Sequence, residues 1–490
     1  MTELNATTLA ELGKTLPVPR YDRSRLHTGI VHIGVGGFHR AHQAMYLDRL
    51  MNEGKAHEWA ICGVGVLPGD RRMKEVMDAQ NGLYTLVVKS PDGDWDARVI
   101  GSIVEFLLAP DNPEAVVEKM ADPATRIVSL TITEGGYNFN AVTGAFDATH
   151  PDVVADLRPG AVLRTTFGLV VEALARRRQR GLPPFTVMSC DNIQGNGDAA
   201  RRSFAAYAAL RDRELGEWVS RDVRFPNCMV DRITPVTTDD DRAEVARRLG
   251  VDDRWPVVCE PFTQWVLEES FTGGRPPFED AGVQLVADVE PYELMKLRLL
   301  NASHQGLCYF AWLAGYRLVH DAAQDPLFAR FLLAYMDNEA TPTLEPVPGI
   351  DLYQYKRQLI ERFSNAQVRD TVARLCAESS DRIPKWLLPV VRHNLSTGGE
   401  IHRSAAVVAS WARYAEAVDE QGRPIEVVDR LAPVLTEAAA RQHDDPLAFL
   451  RNRKVFGDLM DDERFVSAYR SALASLHAKG ARATLEELTQ

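Results

Sequence analysis

Cysteine, basic charge and long apolar runs are all in short supply. The six cysteines (Cys62, Cys190, Cys228, Cys259, Cys308 and Cys376) lie far apart, and none forms a CxxC pair. That spacing supports neither a disulfide framework nor a local zinc knuckle, so no metal is expected and the thiols read as reduced, in a cytoplasmic protein. Lys plus Arg number 56 against 68 Asp plus Glu, giving a net charge of −12 and a pI near 5.6. This is the opposite of the basic footprint of nucleic-acid binding, and it offers nothing to an anionic membrane surface. No apolar run approaches the roughly 18 residues of a membrane span. The opening MTELNATTLAELGK lacks the basic start and apolar stretch of a secretion signal.

What is present is the material of a globular chain: 490 residues, 45% hydrophobic and 25% charged. A sizeable core needs no staples at this length. Size alone suggests two to four domains, and large α/β folds favour two. The first 28 residues read as a surface leader. Short β-rich runs then alternate with helical spacing: strands at 30–33, 59–66, 127–133 and 185–189, and helices at 115–120 and 162–180. Runs at 84–88 and 99–103 suggest a local antiparallel insertion. Alternation of this kind predicts a parallel sheet covered on both faces. From about Pro291 helical patterns dominate, at 292–313, 325–335, 352–363, 366–377, 403–418 and 465–476. The predicted fold is α/β, with a Rossmann-type domain over residues 1–285 and a mainly α-helical domain over 286–490.

The first chemical signal follows the first strand. Gly34-Val35-Gly36-Gly37-Phe38-His39-Arg40 keeps two glycines of the GxGxxG fingerprint but has His39 at the third. The first glycine permits a tight turn, and the second lets backbone amides approach a pyrophosphate. The following helix presents free N–H groups and the positive end of its dipole. Gly34, Gly36, Gly37 and Phe38 are therefore candidate cofactor residues, with Arg40 adding charge. Beyond the second strand, Asp70 is placed to hydrogen-bond ribose hydroxyls and repel a 2′-phosphate, which favours NAD. Two alternatives stay open: Asp70 caps the helix that follows, or Arg71 and Arg72 attract a phosphate.

The second signal is Glu290-Pro291-Tyr292-Glu293-Leu294-Met295-Lys296-Leu297-Arg298-Leu299-Leu300-Asn301-Ala302-Ser303-His304. At about 100° per residue, with Glu293 at zero, Lys296 falls near ~300°, Asn301 near ~80° and His304 near ~20°. All four share an arc of ~140° that also carries leucines. A lysine on such a face loses hydration, which disfavours its charged form and suits it to act as a base towards an alcohol. Asn301 can donate to an oxygen gaining negative charge. The competing reading is a solvated face with a Glu–Lys pair at i,i+3. Tyr292 and Lys296 also spell the YxxxK dyad of short-chain dehydrogenases, but the TGxxxGxG turn of that family is absent and its chains are about half as long.

Five ordered segments, GIVHIGVGGFHRAHQA, SLTITEGGY, VMSCDNIQGNG, FPNCMVDRITP and YELMKLRLLNASH, resemble the polyol-specific long-chain dehydrogenases over essentially the whole chain. The resemblance implies a metal-independent, NAD-dependent enzyme. Its catalytic lysine falls on Lys296, its oxyanion-stabilising asparagines on Asn192 and Asn301, and its proton-release glutamate on Glu293. Substrate-contacting positions fall on Asp231 and His304 and, further on, Arg374, Arg382 and Lys385. An arginine at 382 departs from the lysine frequent in the mannitol-type members, which the chain resembles most. The resemblance further implies interconversion of D-mannitol and D-fructose by hydride transfer at C2, in a monomer with a small-molecule polyol or ketose partner. D-Arabinitol, D-sorbitol or fructuronate on the same scaffold, or an NAD-binding protein without catalysis, are the alternatives.

Overall fold

The computed structural model describes residues 1–139 and 145–489. The chain forms two compact units, Met1–Glu290 and Pro291–Gln490.

The first unit is built on strands β1 (Thr28–Ile33), β2 (Ala60–Gly65), β3 (Tyr84–Lys89), β4 (Trp95–Ile100), β5 (Ile103–Leu108), β6 (Ile127–Leu130), β7 (Thr186–Ser189), β8 (Cys228–Asp231), β9 (Val257–Cys259), β10 (Gln264–Glu268) and β11 (Gln284–Val286). Five of them make a parallel sheet in the order β5-β2-β1-β6-β7. Side chains alternate across it as the period of two requires. Ile30, Ile61 and Ile127 point to one face, where helix α2 (Gln43–Asn52) packs; Val31, Val64, Val128 and Leu130 point to the other, under α3 (Pro113–Ala121) and α4 (Thr166–Gln179). Both faces are thus dry, which is why these strands are apolar almost throughout. The chain leaves β1 in one direction to reach β2 and returns on its other side as β6. The carboxyl ends of β1 and β6 therefore flank the point where strand order reverses, the usual crevice for a ligand in an open α/β sheet.

Three sequence readings need correction here. The run at 99–103 is not one strand: Ile100 ends the antiparallel β3–β4 hairpin and Ile103 opens β5, the edge of the main sheet. Gly101 and Ser102 separate them, and an apolar run alone does not mark that break. The leader is not merely superficial. Leu4, Leu12 and Leu16 are buried in a small core with Val87, Val99 and Val251, and Thr2–Glu3 pairs with Val251–Asp252. Of the helix read at 366–377, only Val372–Cys376 forms, capped by Thr371.

The second unit is helical, with isolated bridges but no strand among its described residues. Its opening helix is not continuous. Helix α5 (Glu290–Met295) runs into a π-helical segment over Lys296–Asn301, then α6 (Ala302–Leu313). A second π segment, Met336–Ala340, packs against the first, and Tyr335 Oη donates to Arg298 O at 3.0 Å. That bond satisfies a carbonyl inside the altered turn, as a buried backbone acceptor requires.

Candidate active site

In the first unit a cleft of about 560 Å³ opens at the β1/β6 crossover, lined by Gly34–Gly36, Gly65–Leu67, Asp70 and Thr131–Thr133 among others. Gly34 has φ +95°, and a Cβ there would lie 2.1 Å from Thr131 O, so only glycine fits. Gly36 is different. A Cβ would find nothing of the protein closer than Gly34 O at 4.0 Å, so the space beyond it belongs to the cleft. Thr131 Oγ1 donates to Gly34 O at 2.5 Å and lies 3.0 Å from His32 Nε2, fixing the two strand ends together. Asp191, buried after β7, accepts from the amides of Ile132 and Thr133 and from Tyr137 Oη. Burial is the largest influence on its carboxyl and raises it above the ordinary value, against those donors.

Asp70 lines this cleft. Its Oδ2 accepts from Val66 N and Leu67 N, both at 2.9 Å, so it braces the loop before it instead of capping the helix after it. Gly65 permits this: a Cβ there would be 2.6 Å from Asp70 Cβ. The neighbouring arginines turn elsewhere. Arg71 forms a two-pronged pair with Asp111, and Arg72 lies over the Trp255 ring. Arg40 does not line the cleft. It is buried, donates through Nη1 to Trp255 O at 2.5 Å and stacks over Tyr84. Helix α1 (Gly37–Ala41) is short, and the chain kinks after it at His42, with φ −126° and ψ −96°. Gly37 and Phe38 also lie outside the lining, and Phe38 stacks on His42. The arginine among the lining residues is Arg164, next to Thr165, which caps α4. Its distance along the chain hid it from motif reading.

Asn192 is exposed in the loop after β7, and Asp231 is buried at the end of β8, opposite Gln264 in the ladder. Its neighbour Arg232 donates to Glu260 O and Ala41 O.

In the second unit, Lys296 is 8% exposed, and Glu293, Asn301 and His304 are 7% each. The solvated-face alternative is thereby removed. The angular bookkeeping also changes. In an α-helix Lys296 and Asn301 would lie about 140° apart, but the i→i+5 bonding of a π turn winds the chain more loosely and draws residues five apart towards one face. Such turns are concentrated at functional sites because they re-aim side chains at some cost in packing. Asn301 Oδ1 is buried without a hydrogen-bond partner, and the His304 ring rests 4.5 Å from that of Phe363. Arg374 pairs two-pronged with Asp370, at 2.7 and 2.5 Å. Burial works to raise the Asp370 carboxyl, but Arg374, with a lesser contribution from His304, holds it below its ordinary value. Asp370 thus holds Arg374 in place, and no sequence motif pointed to it. Arg382 and Lys385 are engaged elsewhere. The Arg382 guanidinium donates to Arg374 O and Leu375 O at the end of α7 (Val372–Cys376), and Lys385 is an exposed i,i+4 partner of Asp381.

A doubly covered parallel sheet with a glycine-edged cleft at its crossover, followed by a helical unit, defines a Rossmann-type α/β protein. Residues 28–280 match the mannitol dehydrogenase Rossmann domain and residues 288–477 the mannitol dehydrogenase C-terminal domain, so the chain belongs to the mannitol dehydrogenase family. It is 45% identical to mannitol 2-dehydrogenase of Aspergillus fumigatus, over 99% of this chain and 98% of the relative. Mannitol dehydrogenase 2 of Saccharomyces cerevisiae is 43% identical, over 99% and 97%. Among solved structures, the Pseudomonas fluorescens mannitol 2-dehydrogenase ternary complex with NAD and D-mannitol superposes with TM-score 0.91 at 44% identity, covering 99% of each chain. A substrate-free D-sorbitol dehydrogenase gives 0.89 at 38%, covering 99% of this chain and all of that one.

Proposed function

We propose that this chain catalyses the reversible, NAD-dependent oxidation of D-mannitol to D-fructose at C2, with Lys296 as general acid/base. The observation that carries the reading is the near-complete burial of Lys296 within a π turn that also carries Asn301. A lysine amine is rarely withdrawn from water without a task. The full-length likeness to mannitol 2-dehydrogenases supports the substrate.

The first unit carries the nucleotide in this reading, and the second the acid–base group. Residues of the cleft fit NAD: Gly34 makes the turn, Gly36 leaves room for close approach, and the Asp70 carboxylate suits ribose hydroxyls while repelling a 2′-phosphate. When bound, NAD supplies a nicotinamide that takes up the hydride from C2. Lys296 accepts the proton of the C2 hydroxyl. Asn301 donates an N–H group to that oxygen as its negative charge grows. His304 holds a neighbouring hydroxyl, and Arg374, fixed by Asp370, addresses the far end of the polyol. Glu293 passes the proton from Lys296 towards water. In the reverse direction the protonated amine returns it to the ketone oxygen.

Lys296→Ala should lower kcat by at least about 10²-fold, the lower end for loss of an acid–base group, in both directions of assay. Near-normal turnover would refute the role. D-Sorbitol is the second reading, resting on the D-sorbitol dehydrogenase likeness. Comparison of kcat/KM for D-mannitol, D-sorbitol, D-arabinitol and fructuronate decides between them, and a higher value for any of the last three overturns the substrate assignment.

A further inference from the structure

We propose that Glu416, His443 and His477 form a binding site for a divalent transition-metal ion that ties together three helices of the second unit. Each residue offers one ligand atom, and these atoms lie within 4.8 Å of one another. Glu416 follows α8 (His402–Tyr414), His443 follows α9 (Ala432–Ala440) and His477 lies on α10 (Glu463–Leu488). Sequence spacing gives no hint of the set, because only the packing of the last helix against α8 brings it together.

Two imidazoles and one carboxylate are a donor set that zinc and its neighbours prefer to magnesium or calcium, which favour all-oxygen sites. Zinc–nitrogen bonds of about 2.0–2.1 Å in a tetrahedron place donor atoms roughly 3.3 Å apart. Glu416 Oε1 and His477 Nε2 are already at 2.6 Å, and the His443 and His477 rings stack with centroids 4.6 Å apart at 23°. Small ring rotations therefore close the set around an ion. The exposed His443 side leaves room for water as a fourth ligand.

The carboxylate is held in place from behind. Gln442, itself 1% exposed, donates through Nε2 to Glu416 Oε1 at 2.9 Å and to Ala412 O at 3.1 Å, and its Oε1 accepts from Tyr469. Arg413 pairs with Oε2, the far oxygen, at 3.0 Å. Outer partners of this kind orient metal ligands. The arginine's charge also opposes the ion, which sets the expected affinity in the micromolar range and separates the site from tight structural zinc centres. The site shares no residue with the acid–base machinery around Lys296, so its role is to stiffen the helical unit.

The test uses the full chain after chelator treatment, titrated with zinc chloride by calorimetry and with cobalt(II) by visible absorption. The intact protein should take up one ion with the absorption of a tetrahedral cobalt site, and zinc should raise its thermal midpoint. His443→Ala, a change at an exposed ring, should weaken zinc binding by at least about tenfold, abolish the midpoint shift and leave polyol turnover unchanged. His477→Gln should behave in the same way. Equal zinc affinity in the intact protein and His443→Ala, or no uptake by the intact protein, overturns the proposal.

Discussion

His32 provides a quantitative test of how the sheet beneath the cleft is built. Its ring is fully buried, with Nδ1 2.8 Å from Ser129 Oγ and Nε2 3.0 Å from Thr131 Oγ1, and it stacks on the equally buried His39 ring at 3.4 Å. Burial, only slightly offset by the Gly34 carbonyl, lowers His32 to about 3. In the unfolded chain the same side chain titrates near ~6.5. Between these values the unfolded state binds the extra proton. Its contribution to stability is therefore fully present above about pH 6.5 and is lost as pH falls towards 3. At about 1.4 kcal/mol per pH unit, lowering the pH from 7.5 to 5.5 removes roughly 1.4 kcal/mol through His32 alone. His32→Gln cannot titrate, so it escapes this loss whatever its stability at neutral pH. Urea-dependent proteolysis of the full chain, with cleavages inside residues 1–290 counted by mass spectrometry, measures the two slopes. Parallel losses in parent and variant between pH 7.5 and 5.5 would refute the argument.

Two glycines of the turn should respond differently to one methyl group. Gly34→Ala meets Thr131 O and a positive φ, so it should cost at least about 1–2 kcal/mol in unfolding free energy as well as NAD affinity. Gly36→Ala meets only open cleft, so urea midpoints should stay unchanged while KM for NAD rises; a stability loss equal to that of Gly34→Ala would contradict the division. Asp70→Asn keeps an oxygen for Val66 N and Leu67 N but removes the charge. It should shift the NADP-to-NAD ratio of kcat/KM upward by roughly tenfold, the worth of about 1.4 kcal/mol, and an unchanged ratio would place cofactor choice elsewhere.

Much of the fold was legible because local chemistry and global architecture agree. Ile30 to Gly37 read as strand, turn and helix start, and the alternation that follows has one common solution, a parallel sheet. Boundaries were less secure where nothing local marks them, as at Gly101 and Ser102, or where the buried face comes from distant chain, as for Leu4, Leu12 and Leu16. For the candidate site, Lys296, Asn301, His304 and Glu293 stood out in the sequence because one helical segment carries them all. Asp370 and Arg164 were not, since each acquires its neighbours only through packing.

The sequence by itself determined the α/β pattern, the glycine turn and the lysine segment, because each depends on residues a few positions apart. Tertiary structure alone decided that Arg40 turns into the core, that Arg382 donates to the carbonyl end of the preceding helix, and that a π turn re-aims Lys296 relative to Asn301. Those outcomes depend on which groups compete for each side chain once the backbone is packed, and that competition is not written in any local run of residues.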